Sequence, residues 1–119
     1  MNITATALPD CLLIEPRRFN DSRGFFQENF RAADYQAAGI TEALVQDNWS
    51  RSVKGVLRGM HFQRVQPQGK LLTVLRGEIF DVVVDIRKNS AQFGQWQGLT
   101  LSEHKPQQLW IPPGFAHGF

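Results

Sequence analysis

Cysteine is almost missing from this chain. Cys11 is the only one, so no intrachain disulfide can form and the fold must rest on packing. Tyrosine is as scarce, with Tyr35 alone, and there are three histidines. A metal centre needs three or four convergent His, Cys, Asp or Glu ligands, and this supply disfavours one. His104 weighs further against it, because it sits in the polar loop Ser102-Glu-His-Lys-Pro106. No apolar run approaches the roughly 18 residues needed to span a bilayer, and the N-terminus lacks the basic-then-apolar pattern of a secretory signal. With the single cysteine, these absences point to a soluble chain in a reducing, cytoplasmic setting. There is no block of like charge either: 13 Lys+Arg stand against 11 Asp+Glu, scattered, for a net +2. That argues against a nucleic-acid arm and leaves open a local basic pocket for a phosphate. No repeat, low-complexity tract or Pro/Gly/Ser linker divides the chain.

What is present is an ordinary globular composition, 42% apolar and 20% charged over 119 residues, close to the average for soluble domains. One domain over residues 1–119 is expected. Arg31-Ala-Ala-Asp-Tyr-Gln-Ala-Ala38 followed by Gly39 joins good helix formers to a glycine stop, and is the one clear helix. The other segments are short, rich in Val, Leu, Ile, Phe and Trp, and punctuated by Gly or Pro, as in an antiparallel sandwich or barrel. Strands are expected at Leu12–Glu15, Leu44–Ser50, Val56–Gln63, Lys70–Arg76, Ile79–Arg87, Gln95–Leu101 and Gln107–Ile111. Arg76-Gly77-Glu78 reads as a tight hairpin joining two of them, with glycine supplying a positive φ. Over Ile79–Arg87 the two-residue period puts Phe80, Val82, Val84 and Ile86 on one face and Asp81, Val83 and Asp85 on the other. The face with two acids borders solvent or a polar cavity, and composition alone favours the solvated outer face.

A small barrel holds one small ligand in its interior or mouth, so the polar residues on strands are the candidates for chemistry. His61 lies in the largely apolar stretch Gly55-Val-Leu-Arg-Gly-Met-His-Phe-Gln63, where a hydrogen-bonded structural histidine is the commoner role. His117 lies in Pro112-Pro-Gly-Phe-Ala-His117-Gly-Phe119, a turn leading into another strand. Either suits a general base near neutral pH. Lys70, just after the Gln68-Gly69 turn, offers a positive charge to a developing oxyanion, or else snorkels at the surface. Arg23 and Arg58 are candidates for phosphate, since guanidinium forks match its oxygens. Strict alternation sets Arg58 and His61 on opposite faces, so they share a pocket only if the chain bends or bulges near Gly59.

Taken together, and in order, these stretches are more specific than any one of them. They are Asp21-Ser-Arg-Gly-Phe-Phe-Gln-Glu-Asn-Phe30, Gln46-Asp-Asn-Trp-Ser50, Gly55–Gln63, Gln68-Gly-Lys70, Arg76-Gly-Glu-Ile-Phe-Asp81, Val84-Asp-Ile-Arg87 and Gln108-Leu-Trp-Ile-Pro-Pro-Gly-Phe-Ala-His-Gly-Phe119. The chain resembles, from about Cys11 to Phe119, the dTDP-4-dehydrorhamnose 3,5-epimerase family of the cupin superfamily. The last stretch is similar to the second cupin motif. The first motif's usual His-x-His pair is reduced to His61, in keeping with a family that works without metal.

The resemblance implies an all-β, cupin-type antiparallel β-sandwich or jelly-roll barrel with one short helix near residues 31–38. It implies inversion of C3 and C5 of dTDP-4-dehydro-6-deoxy-D-glucose on the way to dTDP-L-rhamnose, with no cofactor. The C4 ketone acidifies both neighbouring carbons, so a base can leave an enolate that is reprotonated on the other face. By motif, His61 is similar to the proton-abstracting base, Lys70 to the stabiliser of the C4 oxyanion and His117 to a sugar-pocket contact. Arg23, Glu28, Gln46, Asp47, Asn48 and Arg58 are similar to the residues lining the nucleotide and diphosphate part. The family forms homodimers that exchange N-terminal segments, and neither nucleic acid nor membrane is an implied partner. Its pattern runs about a third further, to a tyrosine taken as proton donor and an acid that pairs with the base histidine. Neither has a counterpart here, and Tyr35 in the expected helix receives no catalytic role. The chain is therefore expected to lack a C-terminal part. Two other readings stand: an epimerase acting at C3 or C5 alone or on another dTDP-keto sugar, and a non-catalytic cupin that binds sugar nucleotides.

Overall fold

Short apolar stretches broken by glycine and proline fold here as antiparallel strands, in a computed structural model that describes residues 1–119. The order is β1 (Asn2–Ala5), β2 (Leu12–Glu15), β3 (Arg18–Asp21), β4 (Gly24–Gln27), α1 (Ala32–Ala37), β5 (Lys70–Thr73), β6 (Glu78–Asp85), β7 (Trp96–Ser102), β8 (Gln108–Ile111) and β9 (Phe115–Gly118). One sheet runs β1-β2-β8-β5, a second runs β7-β6-β9, and β3–β4 forms a separate two-stranded hairpin. The fold is thus all-β with one short helix, as the sequence leads one to expect. No helix is long and apolar enough to cross a membrane.

The core lies between the two sheets. Leu109 and Ile111 of β8 meet Val83, Leu101 and Phe115 of the other sheet, with Leu8 and Cys11 closing one side. The alternate residue of β8, Trp110, packs on the opposite face with Ile14, Tyr35 and Ile40. Strand β8 is therefore buried on both sides, each large side chain contributing roughly 1.5–3 kcal/mol on leaving water. Burial pushes the Cys11 thiol up to about 12, which makes it an inert core group.

Three expectations need correction. First, Leu44–Ser50 and Val56–Gln63 are not strands: residues 41–68 run as a mostly irregular, exposed strap. Val45 is 90% and Leu57 86% exposed, so β-prone residues are present without a neighbouring strand to complete a ladder. Second, Gly77 has the foreseen positive φ of +81°, yet β5 and β6 do not pair as a hairpin. β5 pairs with β8, and β6 with β7 and β9, because a turn residue bends the chain without choosing its partner. Third, the acid-bearing face of β6 points inward. Asp81, Val83 and Asp85 are at most 1% exposed, whereas Phe80 is 59% exposed. Buried carboxylates are tolerable only with partners, and both have them. Asp85 accepts from Arg87 and Ser90, and Asp81 accepts from His117.

Strands β1, β3 and β4 have no counterpart among the expected ones, whereas β9 is the strand expected after the Pro112-Pro-Gly turn. The hairpin β3–β4 turns at Gly24, whose φ of +132° only glycine adopts readily.

Candidate active site

The strap meets the body at two backbone pairings. Arg58 and Phe119 exchange N–H···O bonds of 2.7 and 2.8 Å, and His61 and His117 exchange bonds of 2.8 and 3.0 Å. Three steps along the strap thus match two along β9, a bulge of one extra residue. Gly59 occupies it with a φ of +126°. By cross-strand parity Arg58 and His61 fall on the same face, so the irregularity expected near Gly59 is present.

Near this bulge is a cleft of about 240 Å³ lined by His61, Gln63, Gln68, Lys70, Ile86 and Phe115 among others. His61 is exposed along its rim. Lys70 opens β5 opposite Ile111 and is half-buried. Burial lowers its ammonium below the usual lysine range, and the Asp81 carboxylate opposes that shift.

His117 is buried behind the bridge to His61, and its Nε2 donates to Asp81 Oδ2 at 2.7 Å. Register aligns His117 with Val83, so Asp81 is its diagonal neighbour on the inward face, close enough for long side chains to meet. Asp81 Oδ1 is buried without a hydrogen-bond partner. The cluster therefore holds an exposed imidazole, a half-buried ammonium and a buried His–Asp pair. That is a set able to exchange a proton and to stabilise a developing negative charge nearby.

The remaining candidate residues do not line this cleft. Arg23 is at the tip of the β3–β4 hairpin, where its guanidinium bonds Asp21 at 2.7 Å. Glu28 pairs with Arg31 at 2.7 Å, in a wider cleft of about 520 Å³ between the hairpin and α1. Gln46 donates to Asn48 at 3.1 Å, and with Asp47 they ride on the exposed strap. Arg58 Nη2 donates to Arg51 O at 3.4 Å. His104 is exposed in the turn after β7. No three His, Cys, Asp or Glu side chains converge as a metal site requires. Asp81 is the site residue that residue-by-residue reading missed. Its signal was the alternation of β6, which put two acids on one face without saying that the face was internal.

The family model described as dTDP-4-dehydrorhamnose 3,5-epimerase matches residues 5–119. The chain belongs to that family. It is 54% identical over 114 residues to the dTDP-4-dehydrorhamnose 3,5-epimerase of Methanothermobacter thermautotrophicus, covering 96% of this chain and 62% of that protein. Among solved structures it is similar to the dTDP-6-deoxy-D-glucose-3,5-epimerase of Legionella pneumophila Philadelphia 1 in complex with dTDP-4-keto-L-rhamnose. There the TM-score is 0.96 at 56% identity, over 99% of this chain and 63% of that one. A 3'-monoepimerase from Streptomyces bikiniensis, in complex with dTDP-quinovose, gives a TM-score of 0.89 at 28% identity, over 97% of this chain and 59% of that one. This member of the epimerase family thus spans about three fifths of the length of each of these relatives.

Proposed function

We propose that this chain carries the proton-transfer centre of a dTDP-4-dehydrorhamnose 3,5-epimerase acting on dTDP-4-dehydro-6-deoxy-D-glucose, within cytoplasmic dTDP-L-rhamnose biosynthesis. The observation that carries the reading is the convergence of His61 and Lys70 on one cleft, backed by the buried His117–Asp81 pair, in a chain of this family. His61 takes the proton from the carbon next to the C4 ketone. The Lys70 ammonium meets the oxyanion that forms at C4, where partial burial strengthens the interaction. Delivery of a proton to the opposite face inverts the carbon, and repetition at the second carbon completes the change to dTDP-4-dehydro-L-rhamnose. No electron leaves the substrate, so the balance needs no redox cofactor.

Asp81 accepts from His117 Nε2, which orients the imidazole for a contact with the sugar. Arg58 and Arg23 supply charge for the diphosphate, and Glu28, Gln46, Asp47 and Asn48 supply polar contacts for the nucleoside. Some of these residues serve the neighbouring pocket of a homodimer, in keeping with their positions on an arm and a strap away from the chain's own cleft. An epimerase of C3 alone is the second reading, favoured by the similarity to the Streptomyces 3'-monoepimerase.

The test is incubation with the 4-keto sugar nucleotide in heavy water, followed by NMR. Deuterium at both C3 and C5, abolished by His61→Ala, is the expected outcome. Deuterium at C3 alone selects the monoepimerase. Binding of the sugar nucleotide without any exchange marks a non-catalytic binding protein.

A further inference from the structure

The β3–β4 hairpin bears Arg23 at its tip and leads into Glu28, yet no strand of either sheet pairs with it. Phe19, Phe25 and Phe26 along it are 58–69% exposed, so packing does little to fix its direction. Two polar attachments at its root do that work. At one side Arg18 Nη1 donates to Glu103 O at 3.3 Å. At the other, Asn29 is gripped by two buried side chains of the body, Tyr35 and Gln108. The Tyr35 hydroxyl sits between Asn29 O, at 2.9 Å, and Gln108 Oε1. Gln108 Nε2 in turn lies 2.8 Å from Asn29 O, 3.0 Å from Asn29 Oδ1 and 3.1 Å from Thr73 Oγ1. Asn29 Oδ1 also accepts from Gln27 Nε2 at 3.1 Å, and Gln27 Oε1 accepts from Arg18 Nε at 2.8 Å. The two attachments are thereby one hydrogen-bonded chain across the base of the hairpin.

Gln108 is fully buried and Tyr35 nearly so, at 0% and 3% exposure. A glutamine in the most buried strand of the sheet is costly unless every polar atom is paired, and here all its partners belong to the hairpin root, α1 or β5. Thr73 and Lys70 are the two ends of β5. The anchor meets β5 at Thr73, the end away from the lysine. Apolar packing of Tyr35 with Phe30, ring centroids 4.8 Å apart, would hold the helix without any hydroxyl. The hydroxyl adds a second hold on Asn29 beside the Gln108 amide.

We propose that Tyr35 and Gln108 are positioning residues. They set the angle of the β3–β4 arm and so deliver Arg23 and Glu28 to the nucleoside diphosphate end of the substrate, the deoxythymidine diphosphate. The inference rests on the sugar-nucleotide reading above. It adds that affinity for the nucleotide is governed from residues that touch no ligand, whereas the proton chemistry at His61 and Lys70 is not.

The experiment compares the full chain with its Tyr35→Phe variant, which deletes one oxygen and keeps the ring. Backbone hydrogen exchange reports the arm, and calorimetry reports dTDP binding. The expected result is faster exchange over residues 18–29 with unchanged protection over 96–102. dTDP affinity falls roughly tenfold, the size set by losing one buried hydrogen bond. In the deuterium assay KM for the sugar nucleotide rises while kcat holds. Unchanged exchange in the arm overturns the anchor, as does unchanged dTDP affinity. Accelerated exchange spread over both sheets marks Tyr35 as a general stability residue and also overturns it. If the unmodified chain binds no dTDP, the functional reading fails, and faster arm exchange in Tyr35→Phe then leaves a purely structural anchor and refutes the positioning role.

Discussion

Gly59 and Gly118 meet back to back where the strap crosses β9. A Cβ on Gly59 would come within 2.6 Å of Gly118 Cα, and one on Gly118 within 2.6 Å of Arg58 O. Two side-chain hydrogens are what let His61 reach its pairing with His117. Gly118→Ala should push the strap outward, with little change in melting temperature because the strap is exposed. Deuterium exchange should fall by about tenfold to a hundredfold, the usual effect of a small misplacement of a reacting group. Full exchange in that variant would mean that the crossing does not orient His61. Asp85 makes a second residue-scale case. Hydrogen bonds from Arg87, then Ser90, hold its carboxyl at about 2 against burial, below its ordinary 3.8. A depressed acid stabilises the fold fully above the ordinary value and loses that contribution as pH falls through the folded one. Asp85→Asn should cost on the order of 2 kcal/mol near neutrality. The gap in melting temperature from the unmodified chain should narrow between about pH 4 and pH 2. A gap that stays constant down to pH 2 would contradict the ion-pair account. The sequence pointed to an irregularity near Gly59 but not to its approach to Gly118, which is a tertiary contact, and alternation grouped Asp81 with Asp85 without choosing the inside.

At the scale of elements, β8 was the most legible. Its residues all read as strand and all are buried, with Leu109 and Trp110 facing different cores. Leu109→Ala should destabilise by about 3 kcal/mol, within the range for emptying a buried leucine site, and chemical denaturation with an unchanged m-value would verify it. A loss under 1 kcal/mol would mean that the core collapses around the gap. The helix was equally readable, since Ala-rich spacing and Gly39 are local signals. The hairpin β3–β4 was not. Its residues are glycine, phenylalanine and polar or charged groups without alternation of burial, because it projects from the body and has no buried face to impress a period on the sequence. The strap erred in the other direction: Val45, Trp49 and Leu57 read as strand residues, but strand propensity expresses a half-buried surface, and within one chain the strap has none.

For the whole molecule, that same exposure bears on assembly. Trp49 is 81% exposed and lies on the strap with Val45 and Leu57, and exposed apolar groups gathered in this way mark an interaction surface. With the homodimer proposed above, sedimentation equilibrium should give twice the mass of the chain. Paired Trp49→Asp and Leu57→Asp changes should shift it to monomer, with nucleotide affinity falling alongside. A monomer in the unmodified chain at micromolar concentration would refute the dimer. The order of motifs along the chain was enough for the family, the all-β class and the identity of His61, Lys70 and His117 as candidates, because each rests on local residue chemistry and spacing. Which strands pair, which face of β6 is interior, that Asp81 belongs with His117, and that Tyr35 and Gln108 grip the arm were decided only by the folded chain. Those are contacts between residues tens of positions apart, and burial with a specific partner, rather than local propensity, selects them.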